Sequence, residues 1–150
     1  MMKVRRAILS DVAFIAPLFN EYRIFYNQET DLSASSAFLE ERLRNNESII
    51  FVAINEGEII GFTQLYKTFS SVSLQPFYIL NDLFVALAHR KKGAGEALLK
   101  HSKIHCTREN YKGLALETTT DNPAQKLYER LEWKKDEHCF HYFWKNTFTQ

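Results

Sequence analysis

The chain is poor in the residues and patterns that mark several large classes of protein. Its 150 residues include two cysteines, Cys106 and Cys139, which fit neither a disulfide framework nor a CxxC metal site. Basic residues number 19 against 18 acidic ones, and the net charge of +1 gives no sign of a nucleic-acid partner. No apolar run approaches the roughly 20 residues that cross a bilayer, and the N-terminus lacks the apolar core of a signal peptide. We therefore expect a cytoplasmic protein that binds neither nucleic acid nor membrane.

What is present suits one globular domain, since apolar residues make up 45% of the chain and charged residues 25%. Periodicity and turn residues predict the order β-α-α-β-β-β-α-β-α-β, a mixed α/β sheet with helices on both faces. The predicted strands are Lys3–Ala7, Ile49–Ile54, Ile59–Tyr66, Phe77–Val85, Leu114–Glu117 and Phe140–Trp144, with a hairpin turn at 55–58 and a loop at 68–75. Four helices are predicted. One follows Ser10 as its N-cap, one spans Ser33–Asn45, one follows Gly93, and one begins at Asn122 and Pro123. Pro17 should bend or interrupt the first helix.

Ile79–Leu99 carries the strongest functional signal, because an apolar strand runs into a basic turn with glycines and then into a helix. The first turn of a helix leaves backbone N–H groups without partners and carries partial positive charge. Gly93 and Gly95 have no Cβ and let a bulky anion approach the backbone. The neighbouring cations are His89, Arg90, Lys91 and Lys92. The pattern favours a phosphate or pyrophosphate site, although a simple loop has the same composition and the spacing fits neither a P-loop nor a dinucleotide fingerprint.

Two segments together resemble the GNAT family of N-acetyltransferases. The run DLFVALAHRKKGAGEALL is similar to the family's motif A, in which an apolar strand is followed by R/Q-x-x-G-x-G/A and a helix. The run NPAQKLYERLEW, Asn122–Trp133, is similar to a second motif, N-x-x-A-x-x-x-Y-x-x-x-G-F/W, but has Glu132 where glycine is usual. LNDLFV also looks somewhat like polyamine and other small-amine acetyltransferases. The resemblance covers nearly the full length and implies one acetyltransferase domain over residues 1–150.

Members of this family transfer the acetyl group of acetyl-CoA directly to an amine. The resemblance therefore implies a mostly antiparallel sheet of six or seven strands, acetyl-CoA as cosubstrate and no metal. It places the pyrophosphate on the amides of Arg90, Lys91, Lys92, Gly93, Ala94, Gly95 and Glu96, with Arg90 and Lys91 adding charge. It also implies main-chain contacts to the pantetheine arm from Leu83, Phe84 and Val85, with the Val85 amide polarising the thioester carbonyl. Asn122 would contact the cofactor as well as cap its helix.

The resemblance also suggests which side chains transfer protons. Tyr128 would protonate the departing CoA thiolate, since a phenol has a pKa of about 10 and a thiol one of about 8.5. Without the motif, the same tyrosine would be assigned to the core, since it lies on the apolar side of its helix. Asp82 would help to remove a proton from the amine, directly or through water, or would bond a neighbouring loop instead. Glu29 and Asp31, in a polar loop after the first helix, would attract a cationic substrate.

The sequence leaves the acceptor open. A small-molecule amine fits best, a protein lysine or N-terminus is an alternative, and a non-catalytic acyl-CoA sensor is a third reading, against which Tyr128 argues. The family implies a homodimer, to which the aromatic segment Phe140–Trp144 would contribute. His101 and His105 have a spacing that can bind metal, but both fall on the core-facing side of their helix and the sequence offers no third ligand nearby. We predict that they are structural histidines.

Overall fold

The apolar runs of the first 117 residues form a five-stranded sheet in the computed structural model, which describes residues 2–147. The strands are β1 (Met2–Arg6), β2 (Ile49–Asn55), β3 (Glu58–Ser70), β4 (Gln75–Val85) and β5 (Leu114–Ala115), and they lie in that order. Neighbouring strands are antiparallel from β1 to β4, and β5 is parallel to β4. The mixed, mostly antiparallel sheet is confirmed. The expected six or seven strands are corrected to five within the described residues.

Helices cover both faces of this sheet. They are α1 (Val12–Phe25), α2 (Leu32–Arg44) and α3 (Ala94–Arg108), the last of which connects β4 to β5. Alternate residues of β2 point to opposite sides. Ile50 and Val52 belong to the buried core formed with α1 and α2, whereas Phe51 packs edge-on against His101 of α3, with 4.6 Å between ring centroids. The predicted arrangement of helices is therefore confirmed.

Two hairpins connect β2, β3 and β4. In the first, Glu56 and Gly57 have φ values of +50° and +81°, as the predicted two-residue turn requires. The second hairpin is longer than expected, because β3 and β4 stay paired as far as Ser70 and Gln75. Half of the polar stretch predicted as a loop, residues 68–70 and 75, is therefore strand, and residues 71–74 form the turn. Cross-strand pairing has overridden the local composition.

The start of α1 differs from the prediction. Ser10 lies in a 3-10 turn, and Asp11 directly precedes the α-helix. The Asp11 carboxylate pairs with Arg5 of β1 at 2.8 Å, a contact that local sequence does not reveal. Pro17 lies inside α1, and the helix continues through it without interruption.

All four α-helices of the described chain end in the same backbone turn; the fourth is α4 (Gln125–Arg130). The residues after their C-caps are Asn27, Asn46, Asn110 and Glu132, with φ between +52° and +68°. The next amide then bonds back to a carbonyl five residues earlier, as from Trp133 to Tyr128 over 3.0 Å. Asparagine tolerates the left-handed conformation better than most residues, so Glu132 is the exception in this set.

Thr118–Gln150 forms a compact unit separate from Met1–Glu117, and α4 belongs to it. The predicted strand Phe140–Trp144 is wrong, because residues 134–147 form no strand. The aromatic side chains of this segment, Phe140, Tyr142, Phe143 and Trp144, are 79–89% exposed. A high β propensity produces a strand only where a neighbour supplies hydrogen bonds, and composition does not reveal that neighbour. No helix in residues 2–147 is long and apolar enough to cross a membrane.

Candidate active site

β4 contains one residue more than β3 in the middle of their pairing. Gln64 of β3 lies opposite Asp82, but the next residue of β3 lies opposite Leu80. Asn81 is therefore the additional residue of a β-bulge. The Tyr22 hydroxyl of α1 donates a hydrogen bond to the Asn81 carbonyl over 3.0 Å. The bulge thus ties β4 to α1 next to Asp82.

Asp82 is a buried carboxylate held by neutral partners. It is 2% exposed, and its two oxygens accept hydrogen bonds from Gln64 Nε2 at 2.6 Å and Asn81 Nδ2 at 2.7 Å. None of the ion pairs within residues 2–147 involves it. Burial raises the pKa of this carboxyl above its usual value, and hydrogen bonds from Asn81, Gln64 and Tyr22 oppose the rise. Such a carboxylate suits a general base, whose pKa should lie close to the working pH.

A cavity of about 330 Å³ lies beside Asp82, between α1, α2 and the sheet. Its lining includes four aromatic rings, one acid and one base: Phe19, Tyr22, Phe38, Tyr66, Asp82 and Arg23. Burial, together with the negative charge of Asp82, raises the pKa of Tyr66 to about 12, so its hydroxyl stays protonated at neutral pH. The volume lies within the range of small-ligand sites, roughly 300–1,000 Å³.

The two acidic residues predicted to attract substrate do not line this cavity. Asp31 accepts a hydrogen bond from the Ala34 amide at 2.9 Å and so caps α2. Glu29 is exposed, and its main-chain carbonyl accepts a hydrogen bond from Arg23 Nη1 at 3.3 Å. The structure gives Asp31 a capping role, and substrate attraction by Glu29 and Asp31 stays a prediction.

The carboxyl-terminal half of β4 has an open edge on the side of β5. In the described chain β4 pairs with β5 only as far as Ile79. Near the end of β4, the Ala86 amide donates to the Ile60 carbonyl of β3 over 2.8 Å. Because N–H groups alternate in direction along a strand, those of Leu83 and Val85 point away from β3. They lie where an extended ligand could add as another strand.

Arg90 closes the end of this edge. Its Nε donates a hydrogen bond to the Val85 carbonyl over 2.9 Å, and its guanidinium lies 5.1 Å from the centre of the Phe84 ring. By the same alternation the main-chain groups of Phe84 face β3, so this predicted contact is turned away from the open edge. Arg90 is itself exposed, as are Lys91 and Lys92, so the turn carries three accessible cations.

The glycine turn presents backbone donors at the start of α3. Lys91 and Gly93 have φ values of +63° and +90°, and Gly93 occupies the N-cap without a side-chain hydrogen bond. The amides of Ala94 and Gly95, in the first helical turn, have no acceptor within the helix. A Cβ on Gly93 would meet no atom within 4 Å, so the space before the turn is open. Donors, space and neighbouring lysines together fit a diphosphate group.

The second motif lies in the unit that begins at Thr118. The Asn122 side chain accepts a hydrogen bond from the Ala124 amide at 2.9 Å and so caps the turn that leads into α4. Tyr128 is half-buried on α4, with its ring 6.1 Å from that of Trp133. Glu132 has a φ of +68°, so the backbone keeps a conformation that favours glycine although the glycine is absent.

Comparison with known proteins decides the family. The sequence model of the acetyltransferase (GNAT) family matches residues 14–133, which is most of the chain. The chain belongs to the GNAT family. It is 51% identical over 142 residues to an uncharacterized N-acetyltransferase, YhfO, of Bacillus subtilis, covering 94% of this chain and 95% of that protein. It is 33% identical over 141 residues to a probable acetyltransferase of Haemophilus influenzae, covering 85% and 97% respectively.

The fold of this GNAT protein also matches solved structures. The crystal structure of a probable acetyltransferase superposes with a TM-score of 0.91 at 35% sequence identity, covering 97% of this chain and 98% of that one. The GNAT resemblance found in the sequence is therefore confirmed. The protein is an acetyl-CoA-dependent N-acetyltransferase.

The paired histidines of this GNAT enzyme have packing roles. Both rings lie edge-on to Phe51, and His105 Nε2 lies 3.1 Å from the Tyr78 hydroxyl. Burial lowers the pKa of His101 and of His105. Among the described residues, no group of three or more His, Cys, Asp or Glu side chains could hold a metal ion.

The sequence did not predict three residues of the candidate site: Gln64, Asn81 and Arg23. One sequence signal was available, because the polar pair Thr63 and Gln64 interrupts an otherwise apolar strand. Both residues are fully buried in the fold. Adjacent residues of a strand face opposite sides, so two buried polar neighbours indicate that each has a polar partner. Here Thr63 bonds the Asp82 carbonyl and Gln64 its carboxylate.

Proposed function

We propose that this enzyme acetylates the primary amine of a small molecule. The cavity beside Asp82 carries the proposal, because it combines a buried carboxylate with aromatic walls in about 330 Å³. A concave space of this size suits a whole small ligand. A protein lysine or N-terminus would instead favour a groove that accepts flanking chain.

Asp82 acts on the acceptor in this proposal. An alkyl ammonium has a pKa of about 10 and no lone pair, so it must lose a proton before it attacks a carbonyl carbon. Ionised Asp82 attracts the ammonium and accepts its proton, directly or through a water molecule. The raised pKa of Asp82 makes it a stronger base than an exposed aspartate.

The aromatic walls support the same assignment. Tyr22 and Tyr66 line the cavity together with Asp82, and their rings present electron-rich faces. Such faces attract an ammonium group at short range, most strongly where water is excluded. The protonated Tyr66 hydroxyl can donate a hydrogen bond to the neutral amine.

The donor side uses the open edge of β4 and the glycine turn. Acetyl-CoA supplies the acetyl group as a reactive thioester. The amides of residues 90–96 would hold its diphosphate, and Asn122 would contribute a further contact. The Leu83 and Val85 amides would pair with the pantetheine arm, and that of Val85 would polarise the thioester carbonyl. Tyr128 would protonate the departing thiolate.

Thiol release from acetyl-CoA, measured with a panel of small amines, lysine peptides and free N-terminal peptides, tests the proposal. We expect small primary amines to accelerate release most. Asp82→Asn should lower kcat by about 10²–10⁴-fold, the range for loss of a general base, with unchanged acetyl-CoA affinity. Faster release with peptides would favour a protein substrate. Binding of acetyl-CoA without acceleration by any amine would instead favour a sensor.

The assembly and location of the enzyme stay part of the proposal. We propose that residues 1–150 act as one acetyltransferase domain, that the protein is a homodimer and that it is cytoplasmic. Light scattering coupled to size-exclusion chromatography tests the dimer: a single peak at the mass of two 17.6 kDa chains supports it, and a monomer mass would refute it.

A further inference from the structure

The cavity beside Asp82 has a basic wall as well as an acidic one. Arg23 of α1 lines it, one residue after Tyr22 and four after Phe19. Its Nη1 donates a hydrogen bond to the Glu29 carbonyl at 3.3 Å. None of the ion pairs within residues 2–147 includes Arg23. A guanidinium has five N–H donors, so further donors remain available to a ligand.

Resting on the proposed function, we propose that the acceptor is an amino acid or a related small molecule that carries a carboxylate as well as the reactive amine. Asp82 holds the ammonium end, and Arg23 binds the carboxylate end. Arg23 is thus a specificity-determining residue, and it takes no part in the proton transfers assigned to Asp82 and Tyr128.

Charge argues for a zwitterionic acceptor over a polycation. An arginine on the cavity wall repels the second ammonium of a diamine or polyamine, and this repulsion grows where the surroundings exclude water. The planar guanidinium matches a carboxylate, with which it forms paired, charge-assisted hydrogen bonds. The same cavity therefore disfavours the polyamines to which LNDLFV bears a slight sequence similarity.

The side-chain donors of Asn81 and Ser35, which also line the cavity, are used within the protein. Asn81 donates its side-chain N–H to Asp82, and the Ser35 hydroxyl donates to the Asp31 carbonyl at 2.7 Å. Arg42, the next arginine of this region, lies over the Phe38 ring and is paired with Glu47 at 3.0 Å. Arg23 is the cation that the cavity lining offers.

Matched acceptors test the inference: an ω-amino acid, its carboxamide and the diamine of equal length, each assayed by thiol release from acetyl-CoA. The wild type should favour the acid over the carboxamide by about tenfold or more in kcat/KM, chiefly through KM. Arg23→Gln should bring this ratio close to one by raising KM for the acid, and Arg23→Lys should restore part of it. Arg44→Gln, which removes an arginine paired with Glu40 outside the cavity, should leave the ratio unchanged.

The outcomes separate this inference from the function on which it rests. An acid-to-carboxamide ratio near one, preference for the diamine, or an unchanged ratio in Arg23→Gln would overturn the role of Arg23, while acetylation of small amines would still stand. If no amine in the panel accelerates thiol release, the proposed function fails, and the inference fails with it.

Discussion

Gln64 and Asp82 face each other where the register of β3 and β4 shifts, with Gln64 Nε2 2.6 Å from Asp82 Oδ2. Both residues are buried, and the partners of the carboxylate are neutral amides and a phenol. A charge in such a place costs folding free energy, because neutral donors only partly replace its hydration. We infer that the fold tolerates this cost because the reaction needs a base at the bulge.

Asp82→Asn should therefore stabilise the fold at neutral pH. The pKa of Asp82 is raised in the folded state, so the protonated carboxyl contributes its full stability below the unfolded pKa of about 3.9. This contribution is lost as pH rises through the folded pKa, because the carboxyl then ionises in a buried place. We expect the Tm of the variant at pH 7 to exceed that of the wild type by about 2–4 °C, a shift that corresponds to roughly 1 kcal/mol in a chain of this size. The difference should shrink towards pH 4.

Thermal unfolding monitored by circular dichroism at several pH values measures this effect. Gln64 Oε1 has no hydrogen-bond partner in the described residues, so its amide can flip to accept from the new asparagine. Asp121→Asn, at an exposed position, serves as the control and should leave Tm unchanged. If Asp82→Asn were less stable than the wild type at pH 7, the buried charge of Asp82 would not be the cost to folding that we infer.

Gln64→Leu should move the acid limb of the pH–rate profile. With Asp82 as the proposed general base, activity should fall as pH decreases through its pKa, because the protonated carboxyl cannot accept a proton. The Gln64 amide stabilises the ionised form, so its removal raises the pKa further and shifts the limb to higher pH. The profile of kcat/KM against pH shows this shift, and Gln75→Leu, at an exposed position, is the control. Equal midpoints in Gln64→Leu and the wild type would remove Gln64 from this role.

The parts of the site with a local signal were predictable from the sequence. An apolar strand, glycines at 93 and 95 and a helix signal define the turn, and Gly93 does adopt a φ of +90°. The hairpin at 55–58 was equally predictable, because a glycine in a short polar turn has few conformations that join two strands. In both cases the residues that determine the structure are neighbours along the chain.

The cavity proposed to bind the acceptor was less predictable, because it depends on contacts between distant segments. The bulge at Asn81 is set by the register between β3 and β4, and a one-residue shift leaves no mark on either strand alone. Arg23 reaches the cavity through the packing of α1 on the sheet. The strand predicted at Phe140–Trp144 was wrong for the same reason, because a strand forms only where a distant segment pairs with it.

Glu132→Gly should stabilise the end of α4. Glu132 has a φ of +68°, a conformation that costs a residue with a Cβ roughly 1 kcal/mol and glycine almost nothing. The gain is partly offset because glycine gives the unfolded chain more freedom. Chemical denaturation should show a higher midpoint with an unchanged m-value.

Glu129→Gly, within the same helix, is the control. It should lower the free energy of unfolding by about 1 kcal/mol and so lower the midpoint. A lower midpoint for Glu132→Gly would show that the left-handed backbone at residue 132 does not strain the glutamate.

Tyr128→Phe should separate cofactor binding from transfer. The substitution keeps the ring beside Trp133 and removes only the hydroxyl that the proposed mechanism uses. We expect kcat to fall by about 10²–10⁴-fold, the usual contribution of a general acid, while the Kd for acetyl-CoA stays unchanged. Tyr142→Phe, in the exposed terminal segment, is the matched control. An unaltered kcat in Tyr128→Phe would show that another group protonates the thiolate.

We propose that backbone donors of the glycine turn hold the diphosphate of acetyl-CoA. Calorimetric titration of acetyl-CoA into the wild type, Gly93→Ala and Gly113→Ala tests this binding mode. A Cβ on Gly93 or on Gly113 would meet no atom within 4 Å, so the two substitutions are matched in space. They differ in backbone conformation, because Gly93 has a φ of +90° and the φ of Gly113 lies outside the left-handed region. We predict binding to the wild type, the same Kd for Gly113→Ala, and a Kd at least about tenfold higher for Gly93→Ala, since one weakened charge-assisted contact has that effect. Absence of binding to the wild type, or equal Kd values for Gly93→Ala and the wild type, would show that the turn does not hold the diphosphate.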